Sequence, residues 1–390
     1  MVLRLIRWAG EPYPRYPADR VTGLKSVLLF RSSSDHSNSH HLRMLFAKKS
    51  KGFCAEIGEH STLIARLSQP DAPYIVEELK ELPSTDDEAL TGWIKQTDGK
   101  GPTGYAHATC GIYPAKRLVR RHTLDLKRVK DPAYLTEVYT QQFRIEPDKY
   151  TIRMLNPDDG SDYDQEAKTA QKEALFCGLP SEDVIAIQDK LLSQGIYPER
   201  LELGTLATLG GIVSYLKFKE SKAPVLLLEI GEDTTHSFII GPEGVDISRP
   251  ITSGISAMIP VVQKELGLKD EESAKKLFYS NTFDFTSMGS VLVKRLLKEL
   301  QSSIGFYEVQ TGQSIGHVFC TQLPSSLSWL GSTMAGSLGV PQLKLEMLPW
   351  LEAHNIKLSD GVTLGSVEER WFGLFSLLVS HQNAVPDEKK

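Results

Sequence analysis

Two stretches of the chain carry side chains, and a spacing, able to grip an anion. The first runs from Phe53 to Leu67 and centres on Glu56-Ile57-Gly58-Glu59, followed by His60, Ser61 and Thr62. The second runs from Val225 to Ile240 and centres on Glu229-Ile230-Gly231-Glu232, followed by Asp233, Thr234 and Thr235. Each reads as an apolar strand, a turn at a glycine and a second apolar strand. Such a turn points backbone N–H groups outward, and a glycine lets an anion approach them closely. The hydroxyls of Ser61, Thr62, Thr234 and Thr235 would add donors. The two copies of the motif lie 173 residues apart. That is too long for a solenoid period, so the spacing predicts a duplicated domain with one hairpin in each half.

The elements that must position these hairpins can be read in order. Residues 1–50 are unlike the rest and are expected to be an N-terminal extension, with a polar tract holding His36, His40 and His41. Met44 to Lys51 reads as an apolar-basic leader, so the 43 residues before it are expected to precede the natural start. Residues 51–224 form the first lobe. Strands are expected at Tyr74–Leu79, Ala106–Tyr113 and Tyr150–Leu155, with a helix from Asp86 to Lys95 capped by Ser84 or Thr85. Residues 112–165 read as a small inserted subdomain, after which the lobe resumes with a strand at Glu173–Leu179. A helix then follows Pro180 with Ser181 as its cap, and another runs from Thr205 to Phe218. Residues 225–381 form the second lobe, with a helical subdomain at 255–312. There Leu292, Leu296, Leu300, Ile304 and Tyr307 mark one buried face of a long helix from Gly289 to Gln310. Val367 to Leu378 reads as a buried closing helix, and 382–390 as a charged tail.

Bulk properties exclude several classes. A chain of 390 residues is long enough for two cores. A net charge of −5 provides no general attraction to nucleic acid. No apolar run approaches the ~20 residues that span a bilayer. Met1 to Trp8 is broken by Arg4 and Arg7 and does not read as a secretory signal. Cys54, Cys110, Cys177 and Cys320 form no Cys-x-x-Cys pair and sit in apolar runs, as small buried hydrophobes do. His60 and His236 follow the two hairpin turns, but one histidine per turn does not make a metal site, and none is expected.

This order of elements resembles the actin-like superfamily, and specifically the PilM family of type IV pilus assembly proteins, over roughly residues 44–380. The resemblance rests on Met44 through Leu67, on Gln194 through Glu202, on Thr252-Ser253-Gly254, on Glu265 through Leu268, and on the helix carrying Leu300, Ile304, Phe306 and Tyr307. It implies an α/β, actin-like (ribonuclease H-like) duplicated two-lobe fold around a cleft, with an inserted subdomain like that of FtsA. It also implies a cytoplasmic protein, peripheral at the inner membrane, that binds the N-terminal peptide of a single-pass, PilN-like partner and is able to form a homo-oligomer. The relative GspL has the same fold and couples a secretion platform to a motor without hydrolysis of its own.

In this superfamily ATP lies between the hairpins, with an Asp at the head of each holding Mg²⁺. Here both positions are glutamate, Glu56 and Glu229, one methylene too long for a tight metal shell. Glu59, Glu232 and Asp233 add further negative charge, and neither tip carries Lys or Arg. A unit-charge repulsion at about 5 Å costs roughly 3 kcal/mol at an effective dielectric near 20, against about 1 kcal/mol net per backbone hydrogen bond. The glycine pair that should pass the adenosine is replaced by Thr321-Gln322-Leu323-Pro324-Ser325, and the nucleoside-reaching pair by Lys275 and Phe278. The residues of this weakened nucleotide site are Glu56, Gly58, Glu59, Ser61, Thr62, Glu229, Gly231, Asp233, Thr234 and Thr235. No catalytic residue is assigned, since Glu202 at the lobe junction reads better as a cap or hinge contact. No cofactor is expected, and ATP with Mg²⁺ only if the site is intact. The favoured reading is a scaffold of a pilus or type II secretion platform without ATP hydrolysis; the alternative is a nucleotide-dependent actin-like ATPase or sugar-kinase-like enzyme. Arg117, Arg120, Arg121, Lys127 and Arg128 form a basic run that reads as a solvated helix face, or else as a contact for anionic lipid or an acidic partner.

Overall fold

A computed structural model describes residues 6–7, 51–84, 86–101, 104–165, 171–280, 282–365 and 368–382. The histidine tract, the leader before Lys51 and the charged tail lie outside them. The first lobe holds β1 (Ile6–Arg7), β2 (Gly52–Ile57), β3 (Ser61–Leu67), β4 (Tyr74–Pro83) and β5 (Ala106–Ile112). An insertion then contributes β6 (Leu118–Thr123), β7 (Tyr150–Leu155) and β8 (Glu173–Pro180), before β9 (Ile196–Leu203) returns to the lobe. The second lobe holds β10 (Val225–Ile230), β11 (Thr235–Gly241), β12 (Gly244–Ile251) and β13 (His317–Thr321); β14 (Ile356–Leu358) goes back to the first.

The duplication is explicit in the pairing. The first sheet has the order β1-β9-β5-β2-β3-β4-β14 and the second β12-β11-β10-β13. In each, an antiparallel three-strand meander (β2-β3-β4, β10-β11-β12) gains a parallel neighbour on its first strand (β5, β13). Glu56 pairs with Leu63 and Ile57 with Thr62, just as Glu229 pairs with His236 and Ile230 with Thr235. Gly58 N donates to Ser61 O at 3.0 Å, and Gly231 N donates to Thr234 O at 3.0 Å. Both turns are therefore closed by the same bond.

Two helices join the lobes. Gly204–Phe218 packs on β11 and β12, Phe372–Gln382 packs on β2, β3 and β5, and the two pack on each other. Neither shows a polar stripe, as expected of helices buried on all sides. Leu206, Leu209, Ile212, Phe372, Phe375 and Leu377 are all fully buried. One large core thus runs from the first sheet through this helix pair to the inner face of the second sheet. A second core lies on the outer face of the second sheet, under helices Ile259–Leu266, Glu271–Tyr279, Lys294–Thr311 and Trp329–Leu338.

Several sequence expectations are corrected. Strand β8 does not resume the first lobe but forms the middle of a separate three-stranded sheet, β6-β8-β7, with its own aromatic core around Phe143 and Phe176. The cap of helix Asp87–Gln96 is Asp86, whose side chain accepts from Ala89 N, rather than Ser84 or Thr85. Ser181 makes no cap bond; its hydroxyl meets that of Thr151 at 3.1 Å. The long helix is interrupted at Val293, which separates Gly289–Leu292 from Lys294–Thr311.

The crossing of the two central helices gives a test. A Cβ at Gly211 would lie 2.9 Å from Ser376 Cβ and 3.1 Å from Phe372 Cζ. Gly211→Ala should cost about 1–3 kcal/mol from overpacking despite alanine's better helix propensity. Gly92, in helix Asp87–Gln96, has nothing within 4 Å of such a Cβ. Gly92→Ala should gain about 0.5–1 kcal/mol. Urea denaturation of both variants measures the contrast.

Candidate functional site

The hairpin turns face each other across the interlobe cleft, and their carboxylates are held by groups distant in sequence. Glu56, at the end of β2, is 5% exposed. Gln322, just beyond β13 in the second lobe, donates from Nε2 to Glu56 Oε1 at 2.7 Å. Gln322 itself adopts a left-handed backbone with φ of 63°, a cost for a residue with a Cβ. Its Oε1 lies close over Gly58, 2.7 Å from where a Cβ would stand. The Tyr113 hydroxyl, 3.1 Å from Thr208 Oγ1, adds to the polar surroundings of Glu56, and Gly373 lets the helix Phe372–Gln382 abut this carboxylate, whose Cδ is 2.7 Å from where a Cβ would stand. Burial pushes the Glu56 carboxyl up to about 7, with Tyr113 and Gln322 pulling down and the charge of Glu229 adding to the rise.

Glu229 is handled differently. It is fully buried and accepts from Arg117 Nη2 at 2.8 Å and from Thr205 Oγ1 at 2.7 Å. Arg117 comes from the segment between β5 and β6, and its Nε donates to Thr205 Oγ1 at 2.9 Å. Neither tip carries a cation of its own, but Glu229 is served by an arginine that lies nowhere near either tip in sequence. A second arginine, Arg370, ion-pairs with Glu81, donates to Ser61 Oγ at 2.9 Å, and reaches the second lobe at Leu323 O at 3.0 Å. Glu56 Oε2 and Glu229 Oε1 are buried and meet no donor among the described residues.

Of the predicted hydroxyl donors, Thr235 is turned inward and Ser61 meets a cation. Ser61 accepts from Arg370, Thr235 Oγ1 donates to Ser253 O at 2.7 Å, and Thr62 is buried in its strand. Asp233 accepts from Ser256 Oγ at 2.7 Å. Thr234 closes its own turn through its carbonyl. Glu59 crosses the cleft: its Oε2 accepts from Glu232 N at 2.7 Å. The Glu232 side chain turns elsewhere, accepting from Tyr279 Oη at 2.5 Å with Lys275 Nζ at 4.0 Å. His60 Nε2 is 3.8 Å from Glu232. Burial nevertheless lowers the His60 pKa, against the pull of Glu232 and Glu59. His236 is buried, and burial together with Arg117 holds its pKa well below the ordinary value. Phe278 is a core residue packed on Phe285 and Trp329, not a cleft residue. Glu202 is buried inside the first lobe, bound by Arg200 at 2.8 Å. Among the described residues, no cluster of three or more His, Cys, Asp or Glu could hold a metal.

The basic run does not form a helix face. Leu118–Thr123 is β6, and Arg117 points into the protein rather than to its surface. Arg121 is engaged by Glu173 and Asp246, Arg120 lies over the Phe143 ring, and Arg128 pairs with Glu137 over Tyr134. Lys127 remains exposed. A cavity of about 100 Å³ lies between the first hairpin and the end of β13, lined by Glu56, Gly58, His60, Thr321, Gln322 and Arg370.

Two predictions follow from these charges. Arg117→Met would leave Glu229 buried without its cation and should cost about 3–5 kcal/mol. Adding Glu229→Gln should recover much of that loss, read by denaturant midpoints. For Glu56 the folded-state pKa stands above the unfolded value, so its contribution is fully present below pH ~4.5 and is lost as pH rises through about 7. Glu56→Gln should remove that component. Variant minus parent stability should therefore increase by about 2–3 kcal/mol between pH 5 and pH 8; a constant difference would reject the assignment.

No protein-family model matches the sequence, and no curated protein matches it. Among solved structures, a PilM–PilN type IV pilus biogenesis complex superposes with a TM-score of 0.61 at 15% identity, over 86% of this chain and 99% of that one. The ethanolamine utilization protein EutJ from Carboxydothermus hydrogenoformans gives 0.43 at 9% identity, over 85% and 90%. The cytoplasmic domain of EpsL, an inner membrane component of the type II secretion system of Vibrio cholerae, gives 0.37 at 8% identity, over 86% and 94%. At these identities the likeness is one of fold. The chain has the two-lobed actin-like ATPase fold, in the arrangement seen in PilM.

Proposed function

We propose that this chain is a PilM- or GspL-like cytoplasmic scaffold of a type IV pilus or type II secretion platform, peripheral at the inner membrane. It holds the N-terminal peptide of a single-pass, PilN-like partner and does not hydrolyse ATP. The observation that carries the second half is the self-filled cleft. Gln322 bonds Glu56, Arg117 neutralises Glu229, and Glu59 takes the Glu232 amide. The cavity beside the first hairpin, about 100 Å³, is well below the roughly 300–1,000 Å³ of typical ligand pockets. The platform role is supported by the likeness to PilM over nearly that protein's whole length. No described helix is long and apolar enough to cross a membrane, which is consistent with attachment through a partner.

The test is a melting experiment with two ligands. A native-state ligand raises the melting temperature by mass action, about 2.7 kcal/mol at 100 times its Kd. Millimolar ATP with Mg²⁺ should leave the transition unmoved. A synthetic peptide matching the cytoplasmic N-terminus of a single-pass protein encoded beside this one should raise it in a saturable way. A clear rise with ATP would overturn the non-nucleotide reading, and no rise with the peptide would overturn the partner assignment.

A further inference from the structure

A second cavity lies away from the hairpins, where three parts of the chain meet. Its walls come from the last turns of helix Gly204–Phe218, from the end of helix Met347–Ala353, and from the turn at 157–159 that follows β7. Its volume of about 470 Å³ falls within the roughly 300–1,000 Å³ of small-molecule sites. Ser214 and His354 both line it. They are 140 residues apart in sequence, yet Ser214 Oγ stands 2.8 Å from His354 Nε2. Trp350 holds the pair in place. It is fully buried, its Nε1 donates to Ser214 Oγ at 3.2 Å, and its ring meets the imidazole edge-on with centroids 5.4 Å apart. In the tautomer that protonates Nδ1, His354 Nε2 accepts the Ser214 proton. The indole N–H then takes one lone pair of the hydroxyl oxygen, and the other stays available. Burial lowers the His354 pKa, so the imidazole is neutral at neutral pH and able to take a proton.

A nucleophile and a base within hydrogen-bond reach, with the base fixed by a third group, is the arrangement that activates a serine. Lys217, three residues further along the same helix, is the one cation among the described residues that line the cavity. An ammonium there favours a carbonyl oxygen as it takes on negative charge. Val213, Phe218 and Ala353 give an apolar wall, and Asp158 and Asp159 an acidic one. Two carboxylates against one ammonium turn away anions and admit an uncharged ligand. We propose that Ser214 is an acyl-accepting nucleophile with His354 as its base, and that the cavity takes small, uncharged carboxylic esters. Ser214 Oγ bonds to the ester carbonyl carbon and its proton passes to His354 Nε2. The bond from that carbon to the alcohol oxygen then breaks, and the proton moves on to the leaving oxygen. The products are acyl-Ser214 and a free alcohol, and the step needs no oxidant or cofactor. The cavity shares no residue with the hairpins, so this activity stands or falls apart from the scaffold reading.

The test uses the full chain and p-nitrophenyl butyrate, with nitrophenolate release followed by absorbance and the protein quenched in acid for peptide mass mapping. The parent should release nitrophenolate and carry a butyryl group on Ser214. This first readout needs no variant, so a folding defect cannot obscure it. Ser214→Ala should lose the label, and its release should fall to the level of the buffer. His354→Gln keeps a polar partner for the hydroxyl but offers no base, so it should acylate about a hundredfold more slowly, with its melting transition recorded alongside. An unlabelled Ser214 in the parent is the result of a purely structural Ser–His contact and would overturn the proposal. Labelling of Ser214 at the parent's rate in His354→Gln would overturn the role of the histidine.

Discussion

Each lobe of this protein buries a carboxylate at the head of a hairpin, and the rest of the cleft is arranged around that cost. An isolated buried charge is expensive enough that it must be paired or neutralised. The two halves solve the problem differently. Glu229 keeps its partner Arg117 from the other lobe, with Thr205 as a second donor. Glu56 has no such cation at contact distance and is instead held by neutral donors, with its carboxyl pushed up to about 7. An ancestral symmetry is retained in the backbone and lost in the side chains.

These solutions also decide how the lobes are held together. Arg117, Gln322, Glu59 and Arg370 each reach from one lobe to the other. Beneath them, the central helix pair makes one continuous core between the two sheets. The apolar pair supplies the packed base of the cleft, while the polar bridges link the hairpins above it. A cleft closed this way at the rim and packed solid at its base has little room to open without breaking several bonds at once. That suits the proposed scaffold role.

Much of this architecture was legible in the amino-acid sequence, and the reason is local. A hairpin is written in contiguous residues, and two hairpins with the same four-residue centre announce a duplication. Helices such as Gly204–Phe218 likewise declare themselves by unbroken apolar content. What could not be read is non-local. The apolar run Ala174–Leu179 looks the same whichever sheet buries it, so sequence pattern does not distinguish the first-lobe sheet from the separate sheet that holds β8. Arg117 looked like surface charge because its partner is 112 residues away. Gln322 and Glu56 are 266 residues apart. Counting the charges on the hairpin tips gave a site more acidic than it is, because neutralising groups arrive from other parts of the chain.

The electrostatic argument against a nucleotide therefore changes its basis. Bare repulsion among five carboxylates is not what fills this cleft, since Arg117 and Arg370 lie within it and Glu232 and Asp233 turn aside. Occupation is the stronger ground. Three groups that would greet a phosphate are already bonded to other parts of the protein: Ser61 to Arg370, Thr235 to Ser253, the Glu232 amide to Glu59. A ligand would have to replace each of these bonds before gaining any of its own. Because a hydrogen bond is worth about 1 kcal/mol net when exchanged with water, and close to nothing when exchanged with an equally good partner, the cleft offers a polyphosphate little reason to enter.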